Sequence, residues 1–372
     1  MIASPAGGTV GRRSLAEVVA ALRLRETAVQ LLAFILSLAA LIGVLTLLGY
    51  PTGKITIALV DGSVGDRIAL GITLSEAMPL VLTGTAVWIA LQVGLFNIGA
   101  DGQLRIGGVA ALALVLAVPD ATPGVILIIV GLAAAAIAGA SWSAVAAVLR
   151  VYRGANEVIS TVMLNFMAFI IVDELMHGAL RAPEATHTPR TSEIPRSARL
   201  PHLLENTHAT IGIVVAVAVS IVAVRLIERS ELGLRLRSIG LNRSAAEHAG
   251  VRVARYQLWT FLASGAVAGL AGGLVILGFR YKIAPGWAPT WGFLGILIAF
   301  LAARNAYMIV IWGVLFGMLA AAGPELKGAA SVPDSVVTLM QVLPVIAVFV
   351  LYRVGASRPW QIGSKTPVEE GN

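Results

Sequence analysis

The chain has 372 residues, 58% of them hydrophobic and 13% charged, with a formal charge of +7 and no cysteine. Soluble domains carry about 25% charged residues, so this balance and a mean hydropathy of +0.87 point to lipid. The missing cysteines exclude disulfides, thiol catalysis and Cys-ligated metal. The positive charge does not call for nucleic acid, because the arginines cluster in a few loops, as the positive-inside rule requires of a multi-span protein.

In chain order, residues 1–28 hold no apolar core of a cleavable signal peptide. Within them "SLAEVVAALRLRETA" (14–28) reads as a cytoplasmic amphipathic segment. Ser14 and Glu17 form a capping-box pattern, and Leu15, Val18, Val19 and Leu22 share one face. With Arg12, Arg13, Arg23 and Arg25 beside it, this segment is expected on the membrane surface.

Residues 29–353 form the transmembrane domain, where apolar runs long enough to cross ~30 Å of hydrocarbon recur. Spans are expected at 29–49, 76–93, 102–118, 124–149, 156–178, 209–228, 257–279, 290–303, 306–323 and 335–353. Period-two alternation is absent, which excludes barrel strands. The fold class is therefore all-α, a polytopic membrane helical bundle of about ten transmembrane helices. Segment 290–303 is short enough to be a half-helix, and a Gly-interrupted span in each half (94–108 and 265–278) hints at a weak repeat. Residues 354–372 are a cytoplasmic tail.

Loop charge gives the orientation. Arginines precede the first span, Arg150 and Arg153 follow the fourth, and Arg353 and Arg358 follow the last. Arg225, Arg229, Arg235, Arg237, Arg243, Arg252 and Arg255 crowd the loop after the sixth. With ten spans all these sites share one side, so both termini are cytoplasmic. The loop 180–208 then lies outside, although it carries Arg181, Arg190, Arg196 and Arg199; its four prolines make it extended.

Three stretches carry polar groups. The first is "QVGLFNIGADGQLRIGG" (92–108), where glycines break the helix and Asn97, Asp101, Gln103 and Arg105 sit in the gap. Non-helical backbone at membrane depth survives only against protein or a water-filled cavity, and an acid there must face one or the other. Two readings fit: part of a transport pathway, or a cytoplasmic turn whose glycines allow tight helix packing. The second is "NEVISTVMLN" (156–165), which puts Glu157, Ser160, Thr161 and Asn165 on one arc of a helix. The third is the coupling loop, 229–256, the most basic segment. In it Ser244 and Glu247 form a capping-box pattern and Gly250 a stop. A helix that short cannot stand alone and needs something to dock against.

Several chemistries have no motif here. "GYPTGKI" (49–55) is one residue short of a P-loop and has Ile55 where Ser or Thr belongs, so no ATP hydrolysis is expected within the chain. The histidines show no metal-ligand spacing and no G-x-S-x-G elbow occurs. No metal, cofactor or catalytic residue is expected.

In their order, these stretches resemble the permease subunits of bacterial ABC importers, in the nucleoside and simple-sugar branch related to ribose and branched-chain amino-acid permeases. "GLFNIGADGQLRIGG", "GANEVISTVMLNFMA", "GLRLRSIGLNRSAAEHAGV", "SGAVAGLAGG" and "GFLGILIAFL" carry the likeness over roughly residues 76 to 350. Leu294 departs from it where relatives often have Asp, and Ser244-Ala245-Ala246…Gly250 matches the general E-A-A-x-x-x-G loop only loosely. The resemblance implies a multi-pass protein of the bacterial cytoplasmic (inner) membrane, embedded in lipid. Its partners would be a second permease subunit (a heterodimer), a cytoplasmic ATP-binding-cassette ATPase and an extracytoplasmic substrate-binding lipoprotein, with no nucleic acid. Asn97, Asp101, Gln103, Glu157 and Asn165 are then expected in the translocation pathway or its gating. Arg235, Arg237, Ser244, Ala245, Ala246, Glu247 and Gly250 are expected to couple to the ATPase. The alternatives are a branched-chain amino-acid permease and, in another class, an ion-coupled secondary transporter using Asp101 and Glu157.

Overall fold

The computed structural model describes residues 15–119, 121–185, 188–303, 305–330 and 332–356. Among these there is no strand beyond two isolated bridges, Arg181 with Thr191 and His202 with Thr210. The helices are α1 (Leu15–Leu47), α2 (Thr52–Val60), α3 (Arg67–Leu91), α4 (Ala100–Ala117), α5 (Gly124–Arg153), α6 (Glu157–His177), α7 (Gly212–Arg229), α8 (Glu231–Leu241), α9 (Arg243–His248), α10 (Val253–Val275), α11 (Trp291–Leu301), α12 (Met308–Ala330) and α13 (Asp334–Ala356). Seven of the described helices are long and apolar enough to cross a membrane, and α11 and part of α13 are shorter apolar helices. Each expected span has a counterpart: α1, α3 to α7 and α10 to α13.

The boundaries differ where a cap outweighs hydropathy. Helix α3 begins at Arg67 rather than 76, because the Asp66 carboxylate accepts from the Ala69 amide at 2.7 Å. Helix α2, continued by a π turn over Asp61–Gly65, has no counterpart among the expected elements. Helix α1 runs unbroken through residue 28, so no helix boundary separates the basic segment from the first span; Ser14 of the expected capping box lies outside the described residues. In the coupling loop the cap of α9 is Asn242, extended at φ −155°, whose Oδ1 accepts from Ala245 N at 3.0 Å. Ser244 is therefore inside the helix and not its cap. Gly250 does end that turn, at φ +81°, a backbone conformation L side chains rarely adopt.

Packing sets the depth of each element. Helix α10 runs between α4 and α5, with Gly269 against Gly107 on one side and Gly139 on the other. Small residues let these backbones approach closely in a medium where apolar side chains gain nothing from leaving water. Helix α3 lies antiparallel to α12, which reaches past Pro324 to Ala330. Two of the crossings are broken. After α3 the chain turns at 92–94 beside Gly240 of α8, then climbs without helix to Ala100, where α4 starts. Asn97 there contacts Ser264, eleven residues into α10, so α4 starts about 16 Å from that face. The mirror arrangement occurs after α10: residues 281–290 descend without helix, and α11 starts beside Asp101 and Thr83. The two broken helices run in opposite directions and meet end to end at mid-depth. The partner of the break at 92–99 is thus α11, whereas 265–278 belongs to an unbroken α-helix with a π turn at its end.

Candidate functional site

At that junction the start of α4 is held by amide side chains. The Asn97 Oδ1 accepts from Gly99 N and from Gln103 Nε2, both at 3.0 Å. Its Nδ2 donates to Gln103 Oε1 at 2.9 Å and to Ser264 Oγ at 2.8 Å. From α6, Asn165 Oδ1 caps the Gly102 amide at 2.8 Å while its Nδ2 donates to the Ile98 carbonyl at 2.9 Å. A helix leaves its first amides without partners, and here a side chain from another helix supplies one. Asn97, Gln103 and Asn165 are all buried. Their spacing at 97, 103 and 165 places them on one knot that fixes non-helical backbone inside the bundle.

Asp101 joins the two broken helices. Its Oδ2 accepts from Arg105 Nε at 2.8 Å, one turn along α4. Its Oδ1 accepts from Gly292 N at 3.3 Å, in the first turn of α11. The carboxylate therefore sits at the positive ends of two helix dipoles, a place that favours an anion. Arg105 completes the contact by donating to the Ala288 carbonyl at 2.7 Å. Gly292 must lack a side chain, since a Cβ would strike the Asp101 backbone. A lone acid in hydrocarbon costs ~2.5 kcal/mol or more; this one is neutralised by a neighbouring guanidinium.

Glu157 stands apart from this knot. It is the first residue of α6, about two turns before Asn165, and lies 3.2 Å from Arg150 across the turn 154–156. Of the arc expected on α6, Glu157, Thr161 and Asn165 are buried, and Ser160 is half-buried with its hydroxyl bonded to the Asn156 carbonyl.

Two polar groups were not anticipated. Glu76 of α3 accepts from Trp291 Nε1 at 2.8 Å, and Arg280 lies 3.9 Å from its other oxygen. With Ser75, His208 and Phe279 they line a cavity of 210 Å³ that faces the loop 178–211 side. The signal for Glu76 was present, as a single acid within an apolar span. Ser264 carried no such signal, since a serine in a span is ordinary helix-to-helix glue.

On the opposite face α8 and α9 lie exposed. Ser230 caps α8 at Gly233 N, 3.2 Å away. Arg235 is half exposed, bonded to Tyr256 Oη at 2.8 Å and 3.5 Å from Glu231. Arg237 reaches the Glu228 carbonyl at 3.4 Å. On α9, Arg243 pairs with Glu247 at 3.0 Å. Ser244, Ala245, Glu247 and Gly250 are exposed while Ala246 is buried against the bundle. No cluster of potential metal ligands occurs among the described residues.

Residues 69–350 match the family described as "Branched-chain amino acid transport system / permease component". The chain is 33% identical over 336 residues to the guanosine ABC transporter permease protein NupP of Bacillus subtilis, covering 89% of this chain and 93% of that one. It is 32% identical over 307 residues to the glucose ABC transporter permease protein TsgB13 of Haloferax volcanii, covering 78% and 80%. Over 284 residues it is 27% identical to the nucleoside ABC transporter permease protein NupB of Lactococcus lactis, covering 74% and 77%. The broken helices and the exposed α8–α9 pair are thus those of a multi-pass inner-membrane transport subunit, and the chain belongs to this family of ABC transporter permease components.

Proposed function

We propose that this permease carries a nucleoside or simple sugar inward, powered by a separate ATP-binding-cassette ATPase that docks on α8 and α9. One contact carries the reading. The α8 backbone at Gly240 packs directly on the turn 92–94, where an added Cβ would stand 2.5 Å from the Gln92 carbonyl oxygen and 3.3 Å from Gly94 N. That turn opens the non-helical stretch leading to Asn97 and Asp101. A push on α8 therefore reaches the mid-depth junction through backbone alone, without a long side-chain relay.

In this reading the α8–α9 face and both termini are cytoplasmic. Arg235, Arg237, Ser244, Ala245, Ala246, Glu247 and Gly250 form the docking surface. An external lipoprotein delivers substrate to the opposite face, where the cavity of Glu76, His208 and Arg280 is the mouth of the pathway. A second, different permease subunit closes that pathway. Asn97, Gln103 and Asn165 act in gating by holding the start of α4, Asp101 by tying α4 to α11, and Glu157 by anchoring α6 to α5.

The test is uptake of labelled nucleosides, with ribose and leucine as controls, in cells with and without this chain. Each assay is repeated with the proton gradient collapsed and ATP maintained. Chain-dependent nucleoside or ribose uptake that survives the collapse is the expected result. Chain-dependent uptake of leucine alone, or uptake lost with the gradient, overturns the proposal.

A further inference from the structure

Beside the coupling helices lies a second feature, which shares Arg235 and Gly250 with the docking surface and is otherwise built from other residues. Helices α7 and α10 both pack on α3 but diverge from each other, leaving a trough of 620 Å³ with Ile89 of α3 on its floor. Its α7 wall includes Val219, Val222 and Leu226, and its α10 wall includes Trp259, Ala263 and Val267. At one end of the trough, sharing lining residues with it, is a cavity of 630 Å³ lined by Arg235, Arg252 and Arg255. Leu232, Tyr256 and Trp259 line both, so the two volumes adjoin.

Three observations describe the occupant. From Tyr256 to Val267 the α10 wall spans eleven helical rises, about 16 Å, which is half of the ~30 Å hydrocarbon thickness. A full transmembrane helix from another subunit would run the whole thickness; a lipid of one leaflet needs half. The junction of the trough with the basic cavity carries a tyrosine and a tryptophan, Trp259 being 60% exposed, as side chains do at the headgroup level. Of the arginines, Arg235 is engaged by Tyr256 and Glu231, whereas the guanidinium groups of Arg252 and Arg255 have no hydrogen-bond or ion-pair partner among the described residues. Charge and apolar surface are thus segregated as in an amphiphile, with uncompensated positive charge at the polar end.

We propose that this site binds one anionic phospholipid, its phosphate held by Arg252, Arg255 and the Tyr256 hydroxyl, its acyl chains lying in the trough between α7 and α10. The lipid would lie against Leu232 of α8 and Ala249–Gly250 at the end of α9, so its presence bears on how firmly the coupling helices are seated. This inference does not depend on which solute is carried.

The test uses the assembled transporter, with its ATPase and partner permease, extracted into nanodiscs containing phosphatidylcholine and phosphatidylglycerol and analysed by native mass spectrometry. Arg252→Gln combined with Arg255→Gln is expected to weaken retention of phosphatidylglycerol about 30-fold, at ~1 kcal/mol per arginine near a membrane surface, and leave phosphatidylcholine unchanged. The same phosphatidylglycerol occupancy in the double variant overturns the proposal. So does loss of the ATPase together with the lipid, which would make these arginines protein contacts. Ala263→Cys supplies an independent readout, since a disulfide from this position to a cysteine scan of the partner permease would show the trough filled by protein.

Discussion

Asn165→Ala removes both halves of the bridge between α6 and the start of α4. The Ile98 carbonyl and the Gly102 amide lose their partners in a buried site where Asn165 itself is 6% exposed. Leaving a buried polar group unsatisfied costs about 1–3 kcal/mol, and loss of a helix-capping acceptor typically about 1. The two losses together come to about 3 kcal/mol, concentrated on residues 96–103, since α6 keeps its packing through Leu164 and Ala168. At 1.4 kcal/mol per tenfold the opened form of that stretch becomes about 100-fold more populated. Hydrogen exchange of the transporter in nanodiscs reads this directly. Amides of 96–103 should exchange about 100-fold faster, those of 109–117 should not change, and uptake should fall. Asn165→Asp separates the two halves, because it keeps the acceptor for Gly102 and sets a carboxylate oxygen against the Ile98 carbonyl. Exchange within about threefold of wild type in the alanine variant, with full uptake, would refute the assignment.

Three further outcomes follow from the same geometry. Gly240→Val forces α8 away from the turn 92–94, so ATP hydrolysis should persist while uptake falls; normal uptake per ATP would break the proposed link. Gly269→Val places side-chain atoms against the Ala135 carbonyl and within 2.8 Å of the Gly139 Cα, where only backbone can yield. Overpacking of this kind costs about 1–3 kcal/mol or more, and the yield of folded protein in size-exclusion chromatography should drop, whereas Gly53→Val meets open space and should not change it. In the loop beyond the spans, the Lys282 ammonium, hydrogen-bonded at 2.8 Å, and Arg199 at 3.0 Å hold the Glu193 carboxyl below its ordinary value of 4.5. A depressed carboxylate stabilises the fold above its unfolded value and stops doing so as pH falls through the folded one. Exchange protection of 190–200 and 281–283 should therefore weaken below about pH 4.5. Glu193→Gln should be loosened already and lack that step.

What the sequence disclosed depends on whether the cause of each feature was local. Spans α4 to α6 were legible to within a few residues because apolar length, Pro123 and the Asn156 cap all act nearby. The break at 92–99 was legible as a run of glycines. Its partner at 281–290 was not, because "APGWAPTWG" reads as an ordinary loop until its contact with Asp101 gives it a depth. The cap of α9 was misread for a different reason: Ser244 and Asn242 are both good capping residues, and only the extended backbone at Asn242 decides between them. Helix α2 escaped notice because nine residues hold too little apolar surface to stand out from the first span. Glu76 is marked by its type and setting, but its role is not legible in sequence because its partners lie on α11 and at the end of α10.

Broken helices also serve ion-coupled carriers, where unwound carbonyls and acids coordinate a cation. What separates the two uses here is where the lone pairs go. Both oxygens of Asp101 are taken, one by the Arg105 guanidinium and one by the Gly292 amide. The Ile98 carbonyl, in the non-helical stretch, is taken by Asn165. Glu157 faces Arg150, and Glu76 accepts from Trp291. A cation entering the junction at Asp101 or the Ile98 carbonyl would compete with a charged or buried donor already bonded there, and displacing that donor costs about 1–3 kcal/mol per group. The same knot suits a subunit driven from outside itself. It is tied to α8 through backbone at Gly240, the contact through which the proposed reading has a push on α8 reach it. Asp101→Asn tests this difference in full. The asparagine keeps an acceptor for Gly292 but loses the ion pair and leaves Arg105 charged beside the Ala288 carbonyl, so the junction should loosen and uptake fall at every pH. Uptake that is abolished only in its dependence on a cation gradient, with the junction's exchange protection intact, would show that Asp101 binds an ion and is no tie between the broken helices.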